Sequence, residues 1–389
     1  MKKEYKLSEL FELRMGKTPS RSNSEYWEDG TYEWISIADL SKTNKYISDT
    51  KEKITENAIK ESGINLIPKD TVVMSFKLSI GKTAITSKPM YSNEAIMSFI
   101  DKGIEEIIPD YLYYLFSFKD WSEGTNKAVM GKTLNKASLS EMKIKIHSVK
   151  QQREIIKLLD KVNRIIEERK NQLNLLDELV KSRFVELFGE VGTDTKGWGL
   201  KRLSDCCTIN PKKGEDKRLH KDLMVSFVPM PAVSEKGEID ASETKSYDEV
   251  KTGFTYFAEQ DVLFAKITPC MENGKGAVAK GLCNGIGFGS TEFHVLRPIE
   301  GVSNSYWLYV VTAFKQFRMD AASNMTGSAG QRRVPASFLD AYKISVPPIE
   351  LQKQFAAFVE QTDKSKFEIQ KSIEETEVLF NSLMQEFFG

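Results

Sequence analysis

Two stretches of about 38 residues, 151–188 and 351–388, repeat their apolar residues every three or four positions and contain no proline or glycine. This period is typical of a coiled-coil helix seam. A glycine follows each stretch, at Gly189 and Gly389, and glycine commonly ends helices. A helix of this length is roughly 57 Å long, and it cannot bury its apolar stripe alone. The sequence therefore predicts two long helices that pack against each other.

The rest of the chain is repeated at an offset of about 200 residues. Leu7-Ser8-Glu9-Leu10 returns as Leu203-Ser204-Asp205-Cys206, and Met142-Lys143-Ile144 returns as Tyr342-Lys343-Ile344. Each similarity is weak, but their order is kept along the whole chain, which indicates two copies of one unit. We predict four segments: a globular domain at 1–149, a long helix at 150–189, a second globular domain at 190–349 with a hinge at 190–198, and a second long helix at 350–389.

The globular segments are predicted to be mixed and rich in β-structure. Apolar alternation and β-branched residues indicate strands at 32–37, 71–76 and 142–146. A run of Tyr, Leu and Phe at 110–118 indicates a buried helix, for which Asp110 is the expected N-cap. These elements predict an α+β fold.

The composition limits the classes of function. The chain has 55 Lys and Arg against 55 Asp and Glu, which argues against a simple electrostatic coat on DNA but leaves room for local basic patches. Its four cysteines form no CxxC motif, so we expect a reduced protein. No apolar run is long enough to span a membrane, and a cytoplasmic location without membrane contact is expected.

Motifs of catalysis or metal binding are weak or incomplete. Gly-Lys-Thr triplets at Gly16, Gly81 and Gly131 lack the first glycine of a P-loop. The segment 285–289 lacks the spacing of a dinucleotide loop. The three histidines are far apart, so no zinc site is expected. The sequence therefore predicts no catalytic residue and no metal site.

A nuclease pattern is the weak exception. Asp110 with Glu141 and Lys143 can be aligned with a PD…ExK nuclease signature, although such short matches are common by chance. A self-sufficient nuclease therefore stays as a less favoured alternative.

Basic and polar side chains cluster in loops. Arg and Gln can make paired hydrogen bonds to base edges, and Lys binds phosphates. The segments 131–133 and 330–333 hold such residues at equivalent positions of the two halves, which favours nucleic-acid binding over solvated surface charge. The candidate DNA-binding residues are Arg14, Lys17, Thr18, Arg21, Lys82, Lys132, Lys136, Lys212, Lys213, Lys266, Gln331, Arg332 and Arg333.

Several motifs resemble those of a known family. They are Gly16-Lys17-Thr18-Pro19-Ser20, Ile80-Gly81-Lys82-Thr83-Ala84-Ile85, Gly289-Ser290-Thr291-Glu292-Phe293 and Pro347-Pro348-Ile349-Glu350-Leu351-Gln352. In their order, and with the duplicated helix, they are similar to the specificity subunit of Type I restriction–modification systems. The first half departs from the pattern at 146–149, where the prolines before the helix are missing.

The resemblance implies two target-recognition domains, 1–149 and 190–349, held apart by an antiparallel pair of conserved helices. Each domain would recognise one half of a split double-stranded DNA target, and the helix length would set the spacer between the halves. It also implies that this chain is a non-catalytic subunit without a cofactor of its own.

The resemblance also implies partners. Two methyltransferase subunits, which use S-adenosylmethionine, would dock on the helical region, and a restriction and translocase subunit is a further expected partner. The residues assigned to partner binding are Ile155, Val162, Leu173, Leu176, Phe184, Phe355, Ile369, Ile373, Phe380 and Phe387. The main alternative is a coiled-coil scaffold that holds two protein-binding domains and does not contact DNA.

Overall fold

The computed structural model describes residues 2–77, 79–121, 126–128, 131–328 and 330–389, and for 126–128, 131–133 and 215 it describes the backbone alone. The chain divides into two compact units. Unit 1 comprises residues 1–169 and 372–389, and unit 2 comprises residues 170–371. Each unit thus combines one globular segment with part of both long helices. The division into four domains stays a prediction.

Unit 1 holds the first globular segment. Its strands are β1 (Lys3–Lys6), β2 (Phe11–Met15), β3 (Tyr32–Ile35), β4 (Tyr46–Ile47), β5 (Glu52–Ile54), β6 (Val72–Ser75), β7 (Thr83–Thr86), β8 (Tyr91–Ser92), β9 (Ile96–Asp101), β10 (Asn126–Ala128), β11 (Gly131–Thr133) and β12 (Lys143–Ile146). Its helices are α1 (Leu7–Leu10), α2 (Ile37–Lys42), α3 (Glu56–Ser62), α4 (Pro109–Phe118) and α5 (Lys136–Glu141), followed by α6 (Val149–Phe188), which continues into unit 2.

Unit 2 holds the second globular segment. Its strands are β13 (Leu200–Arg202), β14 (Cys207–Ile209), β15 (Met224–Val228), β16 (Thr244–Ser246), β17 (Thr255–Ala258), β18 (Val262–Ala265), β19 (Gly276–Val278), β20 (Ile286–Gly289), β21 (Phe293–Pro298) and β22 (Lys343–Ser345). Its helices are α7 (Tyr247–Val250), α8 (Ser305–Ala313), α9 (Lys315–Ser323) and α10 (Ala336–Ala341), followed by α11 (Ile349–Phe388), which continues into unit 1.

The two units share a sheet plan. Unit 1 has a sheet in the order β2-β9-β6-β7-β4 and a smaller sheet β5-β3-β8, in which β3 and β8 are parallel. Unit 2 has the sheets β14-β21-β18-β19 and β16-β15-β20-β17, in which β15 and β20 are parallel. In both units a strand next to the long helix pairs with the first strand, β12 with β1 and β22 with β13. The predicted α+β fold and internal repeat are confirmed.

Both long helices have 40 residues, and each begins two residues before the predicted stretch. In unit 1, Ile155 and Leu159 of α6 share a buried core with Met384 of α11. In unit 2, the Phe184 ring of α6 lies 5.5 Å from the Phe355 ring of α11. Within each unit, therefore, the beginning of one long helix packs near the end of the other, which is the predicted antiparallel pairing. None of the described helices is both long and apolar enough to cross a membrane.

A buried glutamine fixes the first turn of each long helix to its globular segment. Gln152 Nε2 donates to the carbonyl oxygens of Glu106 and His147, each at 3.0 Å, and its Oε1 accepts from Ile108 N at 3.0 Å. Gln352 makes the corresponding three bonds at 2.9 Å, with its partners in the segments 302–304 and 347. Both side chains are fully buried. The repeat therefore extends to individual hydrogen bonds.

We predict that Gln352→Leu destabilises unit 2 by about 2–4 kcal/mol, because a buried N–H and two carbonyl groups lose their partners. Hydrogen exchange measured by mass spectrometry should show faster exchange around 302–304 and 349–356. The matched control is Gln354→Leu, since Gln354 is exposed on the same helix. Equal exchange rates in the two variants would contradict the prediction.

The smaller sheet of unit 1 contains a buried carboxylate. Glu33 is 5% exposed and accepts hydrogen bonds from Thr50 N at 2.9 Å and Thr50 Oγ1 at 2.7 Å. Its Oε1 also lies 3.0 Å from Lys53 Nζ and from Lys88 Nζ. Burial alone would raise the pKa of Glu33, but the hydrogen bonds from Thr50, Lys53 and Lys88 outweigh it and lower the pKa to about 2. The carboxylate is therefore held in its charged form.

Because folding lowers this pKa from 4.5, the ionised Glu33 stabilises unit 1 fully above pH 4.5, and the stabilisation is lost as the pH falls towards 2. We predict that Glu33→Gln destabilises unit 1 by about 1–3 kcal/mol at pH 7, since both lysines are half exposed and screened by water. The difference from the wild-type chain should shrink between pH 4.5 and 2 in urea unfolding curves. A difference that does not change with pH would refute this assignment.

Candidate functional site

Four of the candidate DNA-binding residues of unit 2 lie on two adjacent loops, 266–275 and 326–334, of which the second is described except at residue 329. Backbone hydrogen bonds join the loops: Thr268 N donates to Arg332 O at 3.0 Å, and Val334 N donates to Lys266 O at 2.9 Å. The residues brought together are Lys266, Gln331, Arg332 and Arg333. We call these two loops the unit 2 loop pair. The loop 266–275 follows the central strand β18, and the loop 326–334 precedes helix α10. A packed sheet therefore fixes one end of the first loop, and a helix fixes one end of the second.

Glutamates hold both arginines of the unit 2 loop pair. Arg332 Nη2 lies 3.2 Å from Glu272 Oε1 in a single contact. Arg333 binds Glu292 through Nε at 2.9 Å and Nη2 at 2.8 Å. Exposed ion pairs contribute little to stability, so another anion can replace the glutamate at low cost. The single contact of Arg332 is the easier one to exchange.

The two remaining polar residues of this loop pair differ in exposure. Gln331 is exposed, and its side chain has no hydrogen-bond partner among the described residues. Lys266 is half-buried, and burial lowers its pKa more than the nearby Glu292 raises it. Burial also lowers the pKa of His294, whose Nε2 lies 2.8 Å from the carbonyl oxygen of Val334 in the same loop pair. The loop pair therefore presents amide and guanidinium groups at its surface.

The other two candidates of unit 2 lie elsewhere. Lys213 Nζ donates to Lys251 O, after helix α7. Lys212 is exposed and has no side-chain partner within the described part of the chain. No hydrogen bond or ion pair between described residues connects either lysine to the unit 2 loop pair. Among the candidates of this half, hydrogen bonds between described residues thus join only Lys266 and 331–333 in one loop pair.

In unit 1, three candidates follow strand β2. Lys17 N donates to Ser92 O at 2.8 Å, and its Nζ donates to Ser62 O. Thr18 Oγ1 donates to Glu94 and thereby lowers the pKa of that carboxyl group. A Cβ atom at Gly16 would lie 2.2 Å from Ser92 O. Close packing of this turn, and not a phosphate loop, explains the first Gly-Lys-Thr triplet.

Arg21 completes this group of unit 1. Its guanidinium lies 3.8 Å from the centre of the Trp27 ring and 5.0 Å from that of Trp34. Its Nη2 also donates to Glu52 Oε2 at 3.0 Å. The stacking contacts and the ion pair fix the orientation of the Arg21 guanidinium group.

The last candidates of unit 1 are more widely spread. Arg14 pairs with Glu12 at 2.8 Å on strand β2. Lys82, after the β6–β7 turn, and Lys136, at the start of α5, are exposed and have no side-chain partner among the described residues. The side chain of Lys132 lies outside the described residues, although its backbone belongs to β11.

The backbones around 131–133 and 330–333 are equivalent. Asn126 pairs with Thr133 in unit 1, and Thr326 pairs with Arg333 in unit 2, at an offset of 200 residues. Helices α5 and α10 begin at the same offset after these segments. The predicted equivalence of the two loops is confirmed, whereas DNA binding by the thirteen candidates stays a prediction.

Sequence reasoning missed the carboxylates that bind these candidate side chains. Glu52, Glu272 and Glu292 bind arginines and Glu94 binds Thr18, and each lies between 31 and 76 residues from its partner in the chain. The stacking of Arg21 on Trp27 was also missed. Pairing across such distances depends on the sheets, and the local sequence carries no sign of it.

The weak nuclease pattern is not brought together as a site. Asp110 lies 2.5 Å from Lys45, Glu141 lies 2.6 Å from Lys6, and Lys143 lies 2.9 Å from Glu4. The prediction that Asp110 is an N-cap is wrong, because α4 begins at Pro109 and Ile108 is its N-cap. Within the described part of the chain, no three His, Cys, Asp or Glu side chains are placed to hold a metal ion.

Half of the residues assigned to partner binding are covered by the chain itself. Ile155, Val162, Phe184, Phe355 and Ile373 are at most 5% exposed, and Leu173, Leu176, Ile369, Phe380 and Phe387 are half-buried. The helices expose other large apolar side chains, at Leu158, Leu175, Leu179, Phe367, Val378 and Leu379. The five buried side chains are therefore used for internal packing, and partner binding by the set stays a prediction.

Comparison with known sequences identifies a family. The profile described as "Type I restriction modification DNA specificity domain" matches residues 2–175 and again residues 195–377. A specificity subunit named for the Type I restriction enzyme EcoEI of Escherichia coli is 44% identical over 157 residues, which are 39% of this chain and 25% of that protein. The MjaIX specificity subunit of Methanocaldococcus jannaschii is 31% identical over 235 residues, 55% of this chain and 53% of that protein. The matched segments thus span from a quarter to about half of these relatives.

Solved structures share the fold. A structure reported for complex assembly and conformational transition of the type I restriction–modification system matches with a TM-score of 0.60 at 14% identity, covering 100% of this chain and 97% of the other. The specificity subunit from M. genitalium matches with a TM-score of 0.51, also at 14% identity, covering 100% and 96%. At this identity the likeness concerns the fold alone.

Proposed function

The chain belongs to the family of Type I restriction–modification DNA specificity proteins, and on this premise we propose that each of its two units recognises one half of a bipartite DNA target. One observation carries the proposal: the described residues 126–128 and 131–133 of unit 1 and 326–328 and 330–333 of unit 2 form equivalent backbone frames with different side chains. A common frame with different side chains suits two recognition surfaces for different base sequences.

In unit 2 we assign base recognition to Arg332. A guanidinium can donate two hydrogen bonds to guanine in the major groove, and the single contact with Glu272 leaves Arg332 free to exchange its partner. Arg333 keeps its two-bond contact with Glu292 and supports the loop. Exposed Gln331 is placed beside Arg332 as a second group able to bind a base edge.

In unit 1 we assign phosphate binding to Lys82 and Lys136. Both ammonium groups are exposed and unpaired among the described residues, so DNA binding breaks no existing ion pair. Phosphate contacts position a protein on the duplex, and base contacts specify the sequence. Arg21, which is fixed on Trp27, is the preformed candidate for a directed contact in this unit.

The proposal places catalysis in partner subunits. Two methyltransferase subunits that bind S-adenosylmethionine would dock on the long helices, where exposed Leu175, Leu179 and Phe367 offer apolar contacts. A restriction and translocase subunit would join this complex, the helices would set the DNA spacer, and the complex would work in the cytoplasm. A chain without net charge is compatible with this, since partners can supply part of the phosphate neutralisation.

Replacing Arg332 with Ala in the complex with methyltransferase should weaken binding to the target by about 1–3 kcal/mol and relax the preference at one base pair. Glu272→Gln is the matched variant, because it releases Arg332 and should leave binding equal or tighter. Binding is measured on duplexes at one fixed salt concentration. Unchanged affinity and base preference in Arg332→Ala would rule out base recognition by this residue.

Exchanging residues 1–149 for the same segment of another family member should change one half of the target and leave the other half as before. The reason is that the second loop frame and its side chains belong to another unit. The target is determined by selection from a randomised duplex library, and the reciprocal exchange of 190–349 is the control. A change in both halves, or in neither, would refute modular recognition.

A further inference from the structure

A buried arginine lies beneath the unit 2 loop pair. Arg318 of helix α9 is 6% exposed and forms no ion pair with any carboxylate among the described residues. Its five N–H groups are directed at backbone carbonyl oxygens instead. Nε donates to Thr312 O at 2.5 Å, Nη1 to Met271 O at 3.0 Å, and Nη2 to Gly274 O at 3.3 Å.

The guanidinium therefore holds the segment 271–275 in place by hydrogen bonds from its buried side. Both terminal nitrogens also lie 3.4 Å from Lys275 O. The guanidinium carbon lies 4.5 Å from the centre of the ring of Phe264, a residue of strand β18, which precedes the loop. A Cβ atom at Gly276 would approach Nη2 to 3.3 Å, so the glycine allows the close fit.

Burying a charge in this way is costly unless hydrogen bonds satisfy it. Burial lowers the pKa of Arg318 to about 10, so the side chain stays charged at neutral pH. Only a guanidinium offers five donors in a rigid plane, and Lys has three on a single nitrogen. Apolar neighbours such as Phe317 and Phe264 form the hydrophobic core at this place. We infer that the charged side chain of Arg318 is needed to position the loop.

The loop 266–275, which contains the anchored segment 271–275, contacts Arg332 at three points. Glu272, inside the anchored segment, pairs with the Arg332 guanidinium. Thr268, three residues before the anchored segment, accepts a hydrogen bond from Arg332 N through Oγ1 at 3.1 Å and donates from its own N to Arg332 O at 3.0 Å. A shift of residues 268–275 would therefore move Arg332.

Unit 1 supports the corresponding hairpin differently. Gly81, shortly before β7, lies against Trp121, and a Cβ atom at Gly81 would lie 3.1 Å from Trp121 Cδ1. Trp121 Nε1 donates to Phe116 O at 2.8 Å, within its own segment. An aromatic ring thus contacts this region in unit 1, whereas a hydrogen-bonding cation does so in unit 2.

We propose that Arg318 is a positioning residue for DNA recognition by unit 2: it binds the carbonyl groups of 271–275 and thereby sets the place of Arg332 without touching DNA. The inference rests on the proposed function. It assigns a specificity role to a buried side chain that carries none of the usual signs of a DNA contact.

The test uses the chain assembled with its methyltransferase subunits and a randomised DNA duplex library at one salt concentration. Arg318→Met should reduce base preference by roughly tenfold at positions of one half-site and leave the other half-site unchanged. Arg318→Lys should retain part of the preference, because an ammonium group can satisfy some of the carbonyl groups. Without DNA, hydrogen exchange in Arg318→Lys should be faster at 268–276 and 331–333 than in the wild-type chain.

The matched control is Arg297→Met. Arg297 makes a two-bond contact with buried Asp261 in the same sheet, at 2.8 and 2.7 Å, without contacting the loop pair. The variant Arg297→Met should destabilise unit 2 and leave the base preference unchanged. Unchanged preference in Arg318→Met, or equal relaxation in Arg297→Met, would overturn the inference alone. A wild-type complex that selects no sequence would overturn the proposed function as well.

Discussion

One buried glutamine at the first turn of each long helix fixes the direction in which the helix leaves its globular segment. Gln152 and Gln352 use the same three hydrogen bonds, two to carbonyl oxygens and one from a backbone N–H. The apolar seam can then be covered by the sheet-bearing segment and by the end of the other helix. Because each unit needs parts of both helices, neither globular segment is a complete structural unit by itself. The loops proposed for recognition belong to the globular segments that are fixed in this way.

Much of this architecture could be predicted from local pattern. The helices 149–188 and 349–388 contain no residue that breaks a helix, so their ends were predicted within two residues. The internal repeat was predicted because similar short motifs recur in the same order at an offset of about 200 residues. The position of Asp110 was predicted wrongly, because the preceding Pro109 takes the first helical position and moves the N-cap to Ile108. Nothing in the sequence indicated that Gln152 and Gln352 would be buried.

The candidate site was less predictable, for a physical reason. Basic residues are visible in a sequence, whereas the carboxylates that hold them approach only after the sheets form. Lys82 and Lys136 remain unpaired among the described residues, while Arg332 and Arg333 are held by glutamates on other strands and loops. A charged residue in a loop therefore indicates a possible contact, and the number and geometry of its intrachain bonds indicate how readily it exchanges them. Arg318 lies at the other extreme, because its bonds are internal and its effect on the loop is indirect.

The central claim is that one frame, present twice, presents two different recognition surfaces for the two halves of a DNA target. The most direct measurement is the base-resolved methylome of the host cell with and without this gene. The account predicts modified adenines in a motif of two specified half-sites separated by a fixed, unspecified spacer, and loss of that modification when the gene is absent. A motif that is methylated equally in both strains, or a gene-dependent motif that is one continuous sequence, would contradict it.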